Sequence, residues 1–222
     1  MRAATRAVAG RAVGVLRLAA AVSAVVRLGR GASRRPPLRP EAGAPARTIS
    51  VVIPARNEER RIEPLLRALV GDPQAHQVLV VDDQSEDGTA DLAARLGATV
   101  VPGAALPPGW VGKPWALQQG LEAATGHWLV TLDADVVPVP GSLGALVAEV
   151  EATGADLLTV GGRFDCDTPG QRVLHPSMLA TLVYRFGPPG ARHRAPAHRV
   201  QANGQCTLVR RRAQGPAAPG DP

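Results

Sequence analysis

The sequence predicts an α/β domain built on a mostly parallel sheet with helices on both faces, and three observations predict it. From Thr48 onward, short apolar runs of strand length alternate with segments of helical spacing. Three of those strands end in clusters of polar, mainly acidic residues, which places the clusters along one edge of a parallel sheet. A chain of 222 residues, 45% of them apolar, is long enough for one such domain with its own core.

The elements follow in order. Thr48–Pro54 is a mainly apolar run of the kind a strand buried on both faces requires. Glu58–Val70 carries Ile62, Leu65, Leu66 and Leu69 at helical spacing. Gln77–Val81 is a second strand, Gly88–Leu96 a second helix and Ala98–Val101 a short third strand. Lys113–Ala124 reads as helix, His127–Leu132 as a fourth strand, Ser142–Thr153 as helix and Asp156–Val160 as strand. Right-handed crossovers between parallel strands are the rule for such an alternation.

Ahead of the domain, residues 1–47 hold ten arginines against one acid, Glu41, while residues 48–222 hold 15 basic and 18 acidic residues. The net charge of +6 therefore belongs to an N-terminal arm, and the domain itself is mildly acidic. No basic stripe with interleaved aromatics marks the domain, which speaks against nucleic acid as a partner. Within the arm, residues 12–28 form a weak apolar stretch interrupted by Arg17, and residues 29–47 are a linker rich in Arg, Pro, Gly and Ala. The clean apolar run from Leu18 to Val26 is too short to span a bilayer, so contact with an anionic membrane surface is expected instead. With two cysteines, Cys166 and Cys206, neither a disulfide framework nor a zinc site is expected.

The chemistry concentrates at the three strand ends. They are Pro54-Ala55-Arg56-Asn57-Glu58-Glu59, Asp82-Asp83-Gln84-Ser85-Glu86-Asp87-Gly88-Thr89, and Asp133-Ala134-Asp135. Each alone has the composition of a turn or helix N-cap. Together they make a negative pocket that stability alone does not call for, and a cation with a polar ligand would balance it. Asp133 and Asp135 form an Asp-x-Asp triplet at a strand end, whose hard oxygens suit Mg2+ or Mn2+. The same triplet opens the haloacid-dehalogenase phosphatases, but on the first strand, and here it follows the fourth. Lys113 is the chain's only lysine beside 24 arginines, which points to a place that needs a compact ammonium.

In order and spacing, these three clusters resemble the successive signatures of family-2 glycosyltransferases. Pro107-Pro108-Gly109-Trp110-Val111-Gly112-Lys113-Pro114-Trp115-Ala116 is similar to a segment of family members acting on membrane lipids such as carotenoid acids or hopanoids. The resemblance covers roughly residues 48–212 and implies the GT-A fold, a nucleotide-sugar donor, most simply UDP-linked, and a lipid-type acceptor. It implies that Pro54, Arg56 and Glu58 line the nucleoside pocket, that Asp82 or, preferably, Asp83 meets the base, and that Lys113 faces the diphosphate. It further implies that Asp133 lies near ribose and metal and that Asp135 is the main metal ligand. The expected reaction is inverting, metal-dependent sugar transfer at the cytoplasmic face of the cell membrane.

The family's general base lies in an acidic pair after a segment resembling Ala202–Arg211, and no such pair follows Arg212. The catalytic base is thus unassigned, residues 213–222 read as a disordered tail, and the chain is expected to be a truncated form that binds donor but transfers poorly. Two other enzyme classes are weaker readings. A sugar-phosphate nucleotidyltransferase needs a glycine-rich loop after its first strand, and a dinucleotide dehydrogenase needs Gly-x-Gly-x-x-Gly there. Neither is present at Pro54–Glu59. His76, His127, His175, His193 and His198 lack metal-ligand spacing, Asp165-Cys166-Asp167 reads as loop, and Trp128 reads as core. Trp110 and Trp115 are candidate acceptor platforms, and Cys206, with no adjacent base, is a poor nucleophile.

Overall fold

A computed structural model describes residues 2–29, 32, 35–186 and 204–211. The chain forms two compact units, one of residues 38–162 with 202–222 and one of residues 1–37 with 163–201. In the first unit, strands β1 (Ile49–Ala55), β2 (Gln77–Asp82), β3 (Thr99–Pro102), β4 (Trp128–Leu132), β5 (Leu157–Val160) and β6 (Cys206–Arg210) make one sheet in the order β3-β2-β1-β4-β6-β5. The pairs β1–β2, β1–β4 and β2–β3 are parallel, and β6 runs antiparallel to both β4 and β5.

The sheet follows from strand composition. Along β1, Val51, Ile53 and Ala55 join one apolar cluster and Val52 the other, the two-residue alternation of a strand buried on both faces. One face is covered by α2 (Ile62–Leu69) and α5 (Ser142–Thr153), which present Ile62, Leu65, Leu66 and Leu69, and Leu143, Leu146, Val147 and Val150. Both sets follow the i, i+3, i+4, i+7 stripe of a helix that buries one face. Helix α3 (Thr89–Arg95) lies between β2 and β3 in the chain and buries Ala93 in the same cluster. The opposite face is covered by α4 (Gly112–Ala123), whose buried residues, Ala116 and Gly120, are small. Small residues let the helix lie close to β1 and β2.

Several boundaries differ from the sequence reading. The helix expected from Glu58 begins at Ile62, because Glu58–Arg61 makes a turn in which the Arg61 and Ile62 amides both donate to the Glu58 carbonyl. Strand β6 was not expected. The linker read at residues 29–47 ends early, since Leu38 packs on the core, the Glu41 amide donates to the Gly141 carbonyl, and buried Gln74 donates to the Glu41 and Gly43 carbonyls. Residues 163–201, expected within the catalytic domain, fall in the other unit.

That second unit contains α1 (Arg2–Gly29) and α6 (Pro169–Phe186), and α6 was likewise not anticipated. The weak apolar stretch at residues 12–28 lies inside α1. Among the described residues no helix is long and apolar enough to cross a membrane. The tail at 213–222, His193 and His198 lie outside the described residues.

A Cβ on Gly120 would overlap the side chains of Val52 and Val81. Gly120→Ala should therefore destabilise the domain by about 1–3 kcal/mol through overpacking, against a helix-propensity gain of about 1 kcal/mol. Urea unfolding followed by circular dichroism checks this, and an unchanged midpoint would show that α4 can move off the sheet.

Candidate functional site

From β1 the chain proceeds through β2 and β3 on one side, then returns to β4 on the other. The crevice at such a reversal, beyond the carboxyl ends of the strands, is where open α/β sheets bind ligands. A pocket of about 370 Å³ opens there, lined by Pro54, Ala55, Arg56, Glu58, Asp83, Lys113, Ala116, Asp133, Ala134 and Asp135. Seven of the eight residues named from the sequence line it. Asp82, held open as an alternative to Asp83, does not. Its Oδ1 is shielded from solvent without a hydrogen-bond partner among the described residues.

The three acidic clusters divide their work. Much of the second laces the β1–α2 and β2–α3 loops together. The Asn57 amide donates to Ser85 Oγ (3.0 Å), the Glu86 amide to Asn57 Oδ1 (2.8 Å) and the Glu58 amide to Thr89 Oγ1 (2.8 Å). The Gly88 amide donates to Glu59 Oε2 (3.1 Å) and the Glu59 amide to Asp87 Oδ2 (3.3 Å). Hydrogen bonds from the Thr89 hydroxyl, then from the Thr89 and Glu59 amides, hold the Asp87 carboxyl below the usual aspartate range. Asn57 (φ 55°) and Gln84 (φ 58°) adopt the left-handed conformation at these two turns, which asparagine tolerates better than most residues. Glu59, Ser85, Glu86, Asp87 and Thr89 thus shape the loops, and Arg56, Glu58 and Asp83 face the pocket.

Within the pocket, Glu58 is paired with Arg61 on its own turn, Nε to Oε2 at 2.8 Å. The Asp83 carboxylate lies at the start of α4, where a Cβ on Gly112 would come 3.1 Å from Oδ2. A helix N-terminus with no side-chain cap is a favourable neighbour for a carboxylate. Lys113 reaches across to Asp133, Nζ to Oδ1 at 2.5 Å, with the two side chains 50% and 25% exposed. The turn that leads into β6 fixes this corner from the other side. The Asp133 amide donates to the Gln205 carbonyl (3.1 Å), and a Cβ on Gly204 would sit 3.7 Å from Lys113 Nζ. Gly204, Ala55, Ala116 and Ala134 were given no site role from the sequence, because small residues carry no chemical signal of their own.

The lining holds four carboxylates against two cations, Arg56 and Lys113, a net charge of −2. A diphosphate entering that field would be repelled unless a cation came with it. Asp133 and Asp135 supply two hard oxygen ligands. Among the described residues no group of three or more His, Cys, Asp and Glu side chains is placed to hold a metal. The carboxylates of Asp133 and Asp135 would suit a hard divalent ion and leave its other positions open.

Residues 50–214 match the family model described as glycosyl transferase family 2. The chain belongs to this family. A 4,4'-diaponeurosporenoate glycosyltransferase of Staphylococcus haemolyticus is 38% identical over 96 residues, 42% of this chain and 26% of the relative. An uncharacterised glycosyltransferase of Mycobacterium bovis is 40% identical over 111 residues, 50% of this chain and 47% of the relative. The chain thus spans less than half the length of these curated relatives. Among solved structures, glucosyl-3-phosphoglycerate synthase of Mycobacterium tuberculosis superposes with a TM-score of 0.52 at 27% identity, covering 74% of this chain and 57% of that one. A second structure of that enzyme, in complex with Mn2+, UDP and glucosyl-3-phosphoglycerate, gives 0.52 and 27%, covering 78% and 64%. The fold is GT-A.

The candidates set aside from the sequence have structural roles. Trp128 is buried beneath Arg210, whose guanidinium lies 4.9 Å from the ring centroid. Trp110 and Trp115 meet edge to face at 5.2 Å, and the Trp115 indole donates to the Ala104 carbonyl. His127 is held below the usual histidine range by burial and then by Arg47 and Arg210. Cys206 is buried on β6, and burial, reinforced by Asp133, pushes its thiol up to about 12. With so high a value its thiolate is still only on the order of a thousandth of the population at pH 9, so alkylation by iodoacetamide should stay at least about a hundredfold slower than that of free cysteine between pH 7 and pH 9. Peptide mass spectrometry should find Cys206 unmodified until denaturant is added. Labelling at the rate of free cysteine in the native protein would contradict this burial.

Proposed function

We propose that the pocket binds a UDP-sugar together with Mg2+ or Mn2+, and that the enzyme transfers the sugar to an apolar, membrane-associated acceptor at the cytoplasmic face of the cell membrane. One observation carries the reading: seven residues named from sequence motifs, at or just beyond the ends of three strands and at the start of a helix, line a single pocket at the sheet's switch point. The solved relative in complex with UDP and Mn2+ supports the donor and the ion. The relative named for diaponeurosporenoate supports a carotenoid-like acceptor.

Asp83, at the end of β2, is placed to accept a hydrogen bond from a base. Pro54, Arg56 and Glu58 form the wall for the nucleoside. Asp133 and Asp135 would hold the divalent ion, which when bound offsets the charge of the diphosphate. Lys113, already at Asp133, places a compact cation where phosphate oxygens would lie. An acceptor oxygen then attacks the anomeric carbon as the bond to the diphosphate oxygen breaks, and UDP carries off the electron pair. A hydroxyl acceptor gives up its proton to a base, whereas a carboxylate acceptor is ionised at neutral pH and needs none.

Metal and nucleotide binding should depend on each other. Calorimetry of UDP binding is expected to show at least about tenfold weaker affinity in chelator than in Mn2+, and a similar loss in Asp135→Ala. Equal affinities in the two solutions would remove the metal from the site.

Lys113→Arg should weaken UDP binding by about tenfold although charge is kept, because a planar guanidinium is larger than the ammonium held between Asp133 and Gly204. The same calorimetry, run on a variant with an unchanged circular dichroism spectrum, checks it. Unaltered affinity would show that charge alone matters at this position.

A further inference from the structure

Helix α6 arises from the stretch of chain between β5 and β6, yet it groups with α1 rather than with the sheet. The two helices touch through the guanidinium of Arg27, 5.0 Å from the centroid of the Tyr184 ring. They share a composition. Helix α1 carries five arginines and α6 two, and neither contains an aspartate or glutamate. They also share an exposure that a solvated helix pair would not keep. Leu16, Leu18 and Val25 on α1 are 71%, 67% and 70% exposed, and Val173, Leu174 and Met178 on α6 are 73%, 59% and 59% exposed. Exposed apolar side chains gathered on one small unit mark a surface that another phase or partner covers.

We propose that α1 and α6 together form a docking surface for an anionic lipid bilayer, both helices lying in the interface. The inference rests on the membrane reading above and deepens it by adding α6 and naming the lipid charge. Acid-free helices that combine arginine with aliphatic residues match the two forces such a surface exerts, headgroup attraction and burial of apolar area. Neither helix is long and apolar enough to span. Single-stranded nucleic acid fits less well, since bases need aromatic platforms, and the exposed apolar residues here are mostly aliphatic. Each helix alone is a weak binder, and two on one unit act at high effective concentration on the same surface.

The test uses the full chain and flotation with vesicles of phosphatidylcholine, alone or mixed with phosphatidylglycerol. Binding to the mixed vesicles should be more than about tenfold stronger and should weaken as salt rises. The triple variant Val173→Glu, Leu174→Glu, Met178→Glu, altered at exposed positions only, should lose that binding by more than about tenfold. Its circular dichroism spectrum and UDP affinity should be unchanged. Flotation of this variant at the level of the unaltered chain would overturn the role of α6 while leaving membrane contact through α1 intact. Absence of flotation by the unaltered chain would overturn both membrane readings, and UDP binding would then judge the donor site separately. Two further results would also overturn the proposal. One is tighter binding of single-stranded DNA than of mixed vesicles at equal salt. The other is a dimer that the triple variant dissolves, with no vesicle binding.

Discussion

Strand β1 is hydrogen-bonded in parallel on both edges, to β2 over six residue pairs and to β4 over four. That double pairing is the constraint on which the site depends. It sets the carboxyl ends of three strands side by side and makes the chain reverse direction across the sheet at β1. A strand so placed has no solvated face, which explains its mainly apolar sequence and the small helix face that α4 lays against it. The one polar side chain inside this strand, Ser50, is buried and satisfied: its hydroxyl donates to Gln77 Oε1 (2.7 Å) and accepts from the Gly126 amide (2.8 Å). The other polar residues gather where the strand ends, and the loops that leave β1 and β2 are bound to each other by side-chain oxygens accepting from backbone amides.

Electrostatics then sorts residues that composition cannot tell apart. The chain has acids in all three clusters, but Glu59 and Asp87 of the lacing loops accept from backbone amides, and those of the pocket face one another across a crevice. Glu58 and Asp133 each have a cationic partner in the structure, Arg61 and Lys113. The pairs leave the pocket net negative, so a diphosphate ligand and a divalent ion are each favoured by the other's presence. The single lysine of the chain belongs to this balance.

How much of this was legible in the sequence depended on the range of the interactions involved. The β1, β2 and β4 segments announced themselves because a strand buried on both faces is mainly apolar along its length. Helix α2 announced itself through the stripe Ile62, Leu65, Leu66, Leu69, although its first turn did not, since the Glu58 carbonyl accepts from two amides in a tight turn that spacing does not encode. Strand β6 and helix α6 were missed. Cys206–Arg210 is only five residues long, and what makes it a strand is antiparallel pairing with β4 and β5, both more than 40 residues earlier in the chain. The apolar residues of α6 are not segregated to one side of the helix, and most are exposed, so no core-facing stripe marks it in the sequence.

By itself the sequence determined the α/β class, the family resemblance and the identity of the pocket's charged residues, because local periodicity and chemical type are written residue by residue. Tertiary structure alone decided which of Asp82 and Asp83 faces the pocket, and that Asp87 and Glu59 hold loops rather than ligand. It also decided that Lys113 meets Asp133 beside a glycine in the turn that leads into β6. Adjacent carboxylates are identical as sequence, and only the direction in which a backbone turns past the end of a strand separates them. Gly204 carries no chemistry that a sequence could advertise. Its importance lies in the space it leaves for an ammonium that is 91 positions distant in the chain and meets it only in the fold.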